Sequence, residues 1–171
     1  MSTETVEQVT RFKKLVFPED PPAPAPVAKR PAELVLHYHA VPARVLDNLC
    51  YSPTYTHDAH QLMHQTRYPS MAITHHYWVP LMLLGWGADP LNSMITGWHS
   101  WDTWVTVNYP KIVITIMADL PNMNLKPLQG PSTHLGVPDG WAMDTFTRLQ
   151  RFYGAAAHRG DGVVIIAELR E

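Results

Sequence analysis

The alternation of apolar and polar residues predicts a strand and then a helix in the first part of the folded chain. From Glu33, large apolar side chains recur at every second position, as in a β-strand, until Pro42 ends the run. Ser52 and Pro53 then supply an N-cap and a proline suited to the first helical position, and the pattern predicts a helix to about Arg67. Its buried stripe is expected to consist of Tyr55, Ala59, Leu62 and Met63.

The middle of the chain contains three strongly apolar segments. Met71 to Trp86 is apolar in both helical and strand registers and is interpreted as a buried helix, begun or broken at Pro80. Trp98 to Val107 and Lys111 to Leu120 are rich in β-branched and aromatic residues. The sequence Asn108-Tyr109-Pro110 between them is typical of a turn, so the two segments are predicted to form an antiparallel hairpin.

The last part of the chain is expected to form a loop, a helix and a strand. Prolines and glycines from Pro121 to Gly140 favour a long surface loop, and Asp139 is placed to cap the next helix, which is predicted to end near Gly154. Its inward residues are predicted to be Trp141, Thr145, Phe146, Leu149, Phe152 and Tyr153. A glycine-containing turn then leads into a strand from Val163 to Leu169. These elements predict an α+β fold in which a small antiparallel sheet packs against two or three helices.

The first 32 residues have a different character. Thr5 to Phe17 has the spacing of a short amphipathic helix, and Pro18 to Pro31 reads PEDPPAPAPVAKRP. Repeated prolines remove amide donors and favour an extended polyproline conformation. Residues 1–32 are therefore expected to be a flexible, disordered arm that serves as a tether or docking peptide, and residues 33–171 to be one globular domain.

Composition narrows the class of protein. The 171 residues are 46% hydrophobic and 16% charged, with a formal net charge of -2, so no global basic field favours autonomous nucleic-acid binding. The single cysteine, Cys50, excludes an internal disulfide framework and is expected to be an inert buried thiol in a reducing compartment. No apolar run reaches the ~18 residues of a membrane span, and the N-terminus lacks the pattern of a secretory signal, which favours the cytoplasm.

Three histidines offer the most plausible enzymatic chemistry. His57, His60 and His64 stand at i, i+3 and i+7 of the predicted helix, where three imidazoles on one side could reach a zinc or nickel ion. The same spacing describes the solvated face opposite the buried stripe, and no HExxH or cysteine-rich motif accompanies it. The pairs His37 with His39 and His75 with His76 are expected to be surface or hydrogen-bonded residues. No metal and no cofactor is therefore expected.

Other combinations of reactive residues lack their supporting motifs. Ser93, His99 and Asp102 are the residue types of a hydrolase triad, but the sequence lacks the GxSxG motif that would present the serine as a nucleophile. Gly85-Trp86-Gly87 has neither the third glycine nor the lysine of a phosphate-binding loop. The sequence therefore predicts no catalytic residue.

Two groups of residues are candidates for contacts with partners. Trp98, Trp101 and Trp104 are expected in the core, with a base-stacking platform as the alternative. A local basic patch is formed by Arg148, Arg151 and Arg159, beside His158. This patch is expected to be a solvated helix face or a contact with an acidic protein or nucleic acid.

The order of these features resembles the matrix proteins of rhabdoviruses. The resemblance rests on the proline-rich PPAPAP, the following strand and helices, the apolar YPKIVITIMADL and the C-terminal FTRLQRFYGAAAHRGDGVVIIAEL. It implies a small α+β domain that self-associates, condenses the viral nucleocapsid and links it to the envelope membrane during assembly and budding. Two features depart from the animal members of the family: the PPxY and PTAP budding motifs are missing, and the N-terminus is less basic. Both departures are consistent with a plant-infecting member.

The resemblance also implies partners and site residues. The arm would dock on a neighbouring subunit through Phe17, Pro21, Pro22, Pro24 and Pro26. The patch of Arg148, Arg151 and Arg159 would meet the nucleocapsid protein, and peripheral membrane contact would place the protein in the virion, the host cytoplasm and the inner face of membranes. Two alternatives stay open, namely a cellular adaptor that docks through the arm and a metalloenzyme that uses the three helical histidines.

Overall fold

The computed structural model describes residues 33–74, 90–100, 104–126 and 140–170. The chain divides into two units, Met1–Pro31 and Ala32–Glu171, and every described residue belongs to the second unit. The strands are β1 (Glu33–Pro42), β2 (Ser70–Thr74), β3 (His99–Ser100), β4 (Val105–Asn108) and β5 (Asp161–Arg170). The helices are α1 (Ala43–Cys50), α2 (Tyr55–Gln61), α3 (Leu91–Thr96), α4 (Pro110–Asp119) and α5 (Trp141–Arg159), with 3-10 turns at Leu62–His64 and Leu120–Asn122.

The five strands form one antiparallel sheet in the order β2-β1-β5-β4-β3. This arrangement confirms the predicted α+β fold with a small antiparallel sheet. The central strands β1 and β5 pair along their whole length, from Glu33 opposite Arg170 to Pro42 opposite Asp161. Residues 163 to 166 of β5 are buried without interruption because helices cover both faces of the sheet, which explains the continuous apolar run.

One face of the sheet packs against α3, α4 and α5. The helix α5 forms because Ala142, Phe146, Leu149 and Tyr153 recur at helical spacing and bury one stripe. It continues past the predicted end at Gly154 to Arg159, and Gly160 with φ +70° caps it in the left-handed conformation. The predicted cap Asp139 lies outside the described residues, and the described helix has Gly140 at its N-cap.

The predicted hairpin is wrong in its second half. Pro110 occupies the first turn of α4, where its missing N–H costs nothing, and the segment from Lys111 to Leu120 is helical. Val113 and Ile116 face the core at a spacing of three residues. Burying such a side chain stabilises by about 1.5–3 kcal/mol, which outweighs the few tenths of a kcal/mol that β-branched residues lose in a helix. The apolar hairpin that entered the resemblance to matrix proteins is therefore this helix.

The first half of that hairpin is made of strands, although it is interrupted. Within Trp98 to Val107, β3 and β4 pair with each other, His99 opposite Val107, and β4 also pairs with β5. Residues 101–103 lie outside the described residues.

Two helical predictions before residue 90 are also corrected. The segment from Met71 starts as strand β2, because Met71 and Ile73 place apolar side chains on one face while pairing with β1; residues 75–86 lie outside the described part. The predicted helix from Ser52 to Arg67 is shorter: α2 starts after its N-cap Thr54, passes into a 3-10 turn and buries Ala59 and Leu62.

The other face of the sheet packs against α1, α2 and the first 3-10 turn. No pattern in the sequence predicted α1, which buries Leu46 and Leu49 with residues of β4 and β5. Gly162 lets this helix approach closely, since a Cβ at that position would lie 2.8 Å from Cδ2 of Leu46. Within the described ranges, no helix combines the length and apolarity that crossing a bilayer requires.

Candidate interaction surface

Among the described residues, two large aromatic side chains are strongly exposed. Tyr51, which follows α1, is 89% exposed, and Trp98, which precedes β3, is 61% exposed. The prediction that Trp98 packs in the core is therefore wrong, whereas Trp104 is half-buried against the core and Trp101 lies outside the described residues. Exposed aromatic residues are the side chains most enriched at protein interfaces.

A buried asparagine fixes the backbone of Trp98. The side chain of Asn108 is fully buried, and its Oδ1 accepts a hydrogen bond from the Trp98 amide at 2.8 Å. Its Nδ2 donates to the carbonyl of Ser93 at 2.7 Å and to the hydroxyl of Tyr153 at 2.8 Å. Only glycine fits at position 97. Its backbone has φ +80°, and a Cβ there would lie 2.7 Å from Cβ of Thr106.

The short helix α3 is anchored by the same network. The carbonyl of Met94 accepts a hydrogen bond from the hydroxyl of Tyr153 at 2.8 Å, and the carbonyl of Ile95 accepts one from the hydroxyl of Tyr38 at 3.0 Å. Burial raises the pKa of both tyrosines above the ordinary value, so both hydroxyls stay protonated and available as donors. These bonds pair the last carbonyls of the helix and make the support beneath Trp98 rigid.

Contacts join Cys50, Tyr109 and His99, and Tyr51 and Trp98 are the sequence neighbours of Cys50 and His99. Cys50, the neighbour of Tyr51, has its thiol 3.2 Å from the hydroxyl of Tyr109, and it is half-buried where the sequence predicted a buried thiol. The Tyr109 ring lies 6.3 Å from the ring of His99, the exposed neighbour of Trp98. We call this set of Tyr51, Trp98, His99 and Tyr109 the aromatic corner.

Strand β3 is described over two residues. His99 and Ser100 pair with β4, and β3 is the last of the described strands on this side of the sheet. Ser93 and His99, two members of the hypothetical hydrolase triad, differ in burial: Ser93 is buried in α3, His99 is exposed, and Asp102 lies outside the described residues. The surface offers aromatic rings and a tyrosine hydroxyl for contact with another polypeptide.

A second polar cluster lies at the other end of the central strand pair. Nε2 of His37 is 2.9 Å from Oε2 of Glu168, which also accepts from Nε of Arg170 at 2.8 Å. The hydrogen bond from His37, and then that from Arg170, lowers the pKa of the Glu168 carboxyl. The expectation that His37 is hydrogen-bonded is met by this contact.

His39 is buried, against the prediction of a surface or hydrogen-bonded residue. Its side chain is 3% exposed, and neither ring nitrogen has a hydrogen-bond partner in the part of the chain described. Burial, followed by the charge of the nearby His37, lowers its pKa from 6.5 to about 4. The ring is therefore neutral at physiological pH.

The three helical histidines are spread over a solvated surface. His57 and His64 are exposed and His60 is half-buried. Nε2 of His57 lies 2.9 Å from the side-chain nitrogen of Gln61. Among the described residues, no three histidine, cysteine, aspartate or glutamate side chains are grouped so as to hold a metal ion. The positions of these histidines are those of the solvent-facing side of an amphipathic helix.

The predicted basic patch lies along α5. Arg148 and Arg151 are exposed, as the sequence predicted, and Arg148 also donates to the carbonyl of Ala72 in the edge strand β2 at 3.4 Å. Arg159 is paired with Asp161 at 2.6 Å, which neutralises part of its charge. The arm residues lie outside the described part of the chain: Phe17, Pro21, Pro22, Pro24 and Pro26.

Comparison with known proteins adds a structural neighbour. No family model matches this chain, and no curated protein matches it either. A solved structure, the Escherichia coli protein YfbM, described as a protein of unknown function, is similar with a TM-score of 0.56 and 14% sequence identity. The match covers 78% of this chain and 99% of YfbM. This likeness concerns the fold alone.

Proposed function

We propose that this protein is a non-enzymatic structural protein that assembles with copies of itself through the aromatic corner. The observation that carries the proposal is the exposure of two large aromatic side chains, Tyr51 and Trp98. Leaving a large aromatic side chain in water forgoes about 1.5–3 kcal/mol of burial energy, and association with a partner recovers part of it. Trp and Tyr are also the residues that most often dominate the energy of an interface.

The hydrogen bonds that hold the backbone around Trp98 support this role. Asn108 holds the Trp98 amide, and α3 is fixed through buried hydrogen bonds from Tyr38 and Tyr153. A surface already ordered before binding loses less conformational entropy when a partner docks. An exposed aromatic residue on such a support is therefore well suited to recurrent contacts in an assembly.

The wider role that we propose is that of a viral matrix protein. Self-assembly would condense the nucleocapsid and link it to the envelope membrane by peripheral contact, in the virion, in the host cytoplasm and at the inner face of membranes. The exposed guanidinium groups of Arg148 and Arg151 are suited to an acidic face of the nucleocapsid protein.

Sedimentation velocity of the full chain tests the self-assembly proposal. We expect the sedimentation coefficient of the unaltered protein to rise with concentration and that of the double variant Tyr51→Ala, Trp98→Ala to stay at the monomer value. Gln150→Ala, an exposed truncation on α5, is the control and should assemble like the unaltered chain. Assembly of the double variant at the same concentration as the unaltered chain would exclude the aromatic corner.

A further inference from the structure

We propose that the helical layer over His39 is an acid-sensitive cover: when the imidazole takes up a proton, residues Tyr55–His64 detach from the sheet and expose the apolar face beneath them. This cover consists of α2 and the 3-10 turn that follows it. The inference does not depend on the proposed self-assembly, because every group that it involves belongs to one domain of a single chain.

His39 lies in the apolar core on the face of the sheet that the cover packs against. It stands directly opposite Val164 where β1 pairs with β5, so the two side chains share this face. Val164, and Val41 two residues further along β1, belong to the core cluster that also contains Ala59 and Leu62 of the cover. His39 is 3% exposed, and neither ring nitrogen has a hydrogen-bond partner within the described residues. Such a place suits an imidazole only while it is neutral.

A proton on His39 would be an uncompensated buried charge. Protonation makes both ring nitrogens donors, and the carboxylate of Glu168 on the same strand as Val164 is bound to His37 at 2.9 Å and to Arg170 at 2.8 Å instead. Burial, and then the charge of His37, lowers the pKa of His39 to about 4. Water relieves an unpaired charge, so the protonated ring favours any opening that hydrates it.

The other elements around His39 do not compensate the charge either. Strand β2, which pairs with β1 on its other side, carries no ionisable side chain. The charged and histidine side chains of α1 and of the cover are Arg44, Asp47, His57, Asp58, His60 and His64. None of them bonds to His39, and Asp58, the one carboxylate of the cover, accepts hydrogen bonds from the hydroxyls of Ser52 and Thr54.

The cover is the part of these surroundings that opens most easily. Hydration of His39 through the sheet would require separation of β1 from β5, which pair over their whole length. The cover fully buries only Ala59 and Leu62, whereas α5 on the opposite face buries six side chains. An element with few buried apolar side chains opens at a lower free energy than the rest of the fold. The acid state is therefore a partly open domain in which α5 stays on its own face of the sheet.

Native-state hydrogen exchange tests the inference at a protein concentration where the chain is monomeric. The protection of each amide is referred to its intrinsic exchange rate at the same pH and is followed as low concentrations of urea are added. We expect the amides of the cover to exchange through a urea-insensitive opening whose population rises about 20-fold from pH 7 to pH 5. This factor follows from a pKa of His39 of 6.5 in the open state and about 4 in the closed state. Amides of α5 should exchange only through urea-dependent global unfolding.

Variants at position 39 assign the effect to this imidazole. His39→Leu and His39→Gln cannot be protonated, so each should remove the pH dependence of the opening; the glutamine variant keeps a polar side chain and serves if the leucine variant folds poorly. The control His64→Gln, at an exposed position of the same cover, should leave the pH dependence in place.

Three outcomes would overturn the inference. Equal protection and equal urea dependence in the cover and in α5 would show that the domain opens as one unit. An opening of the cover that does not respond to pH in the unaltered chain would show that no acid-sensitive device exists. A pH response in His39→Gln equal to that of the unaltered chain would assign the effect to another group.

Discussion

At the scale of single residues, His39 couples the stability of the domain to pH. The pKa of His39 in the folded protein is about 4, below the ordinary value of 6.5. Between these two pH values the unfolded chain therefore binds a proton at His39 and the folded chain does not. Stability is complete above pH 6.5 and is lost as the pH falls towards 4. We expect His39 alone to lower the free energy of unfolding by about 2 kcal/mol between pH 7 and pH 5.

Urea unfolding at pH 7 and pH 5 measures this effect. His39→Leu should remove most of the decrease, whereas His64→Gln, at an exposed position, should leave it in place. The lowered pKa of Glu168 does not affect the difference between pH 7 and pH 5. Its contribution to the free energy of unfolding is lost only as the pH falls below the ordinary pKa of 4.5. The same pH dependence in His39→Leu and the unaltered chain would contradict the account.

Asn108 is the residue on which the support of the aromatic corner depends. Asn108→Ala removes three buried hydrogen bonds, those with the Trp98 amide, the Ser93 carbonyl and the Tyr153 hydroxyl, so we expect a loss of roughly 2–4 kcal/mol in the free energy of unfolding. Chemical denaturation checks the value, with the exposed Asn122→Ala as a control expected to change stability by less than about 0.5 kcal/mol. Equal effects at the two positions would show that the network is not a structural support.

At the scale of elements, the largest difference between sequence and structure is α4. The run from Lys111 to Leu120 contains β-branched residues that favour a strand, and the preceding Asn-Tyr-Pro is typical of a turn. Local propensity is a weak signal, however, and here burial of Val113 and Ile116 decides the structure. The same proline that suggested a turn occupies the first turn of the helix.

Alanine substitutions at positions 114 and 116 distinguish the helix from a strand. Two residues apart, these side chains would share a face of a strand, but in α4 Ile116 is buried and Ile114 is 53% exposed. We expect Ile116→Ala to cost about 2–5 kcal/mol and Ile114→Ala less than about 0.5 kcal/mol in thermal or chemical unfolding. Comparable losses at both positions would contradict the helix.

Two glycines test the extent of α5. Gly154 lies inside the helix, and a Cβ there would make an ordinary contact 3.5 Å from Cε of Met117, so Gly154→Ala should stabilise by about 0.5–1 kcal/mol. Gly160 has φ +70°, so Gly160→Ala should destabilise by about 1 kcal/mol. Melting temperatures of the two variants should move in opposite directions; a helix that ended at Gly154 would give a loss there instead.

At the scale of the whole molecule, the sequence predicted the fold class and the two strands at the centre of the sheet, but not that these two strands pair with each other. The runs that begin at Glu33 and Val163 have the apolar pattern of strands, and α5 has a clear helical stripe. The aromatic corner could not be predicted in the same way. Exposure of Trp98 depends on Gly97 and on the distant Asn108 network, and Tyr51 carries no periodic signal. Such features follow from tertiary contacts that no local pattern encodes.

Static light scattering of the full chain over a concentration series tests the central claim of self-assembly most directly. We predict that the weight-average mass rises above the monomer value of 19.4 kDa as the concentration increases. The increase should persist when salt is raised, because the proposed contacts are mainly apolar and salt screens only charges. A mass that stays at the monomer value at every concentration and salt would contradict the account.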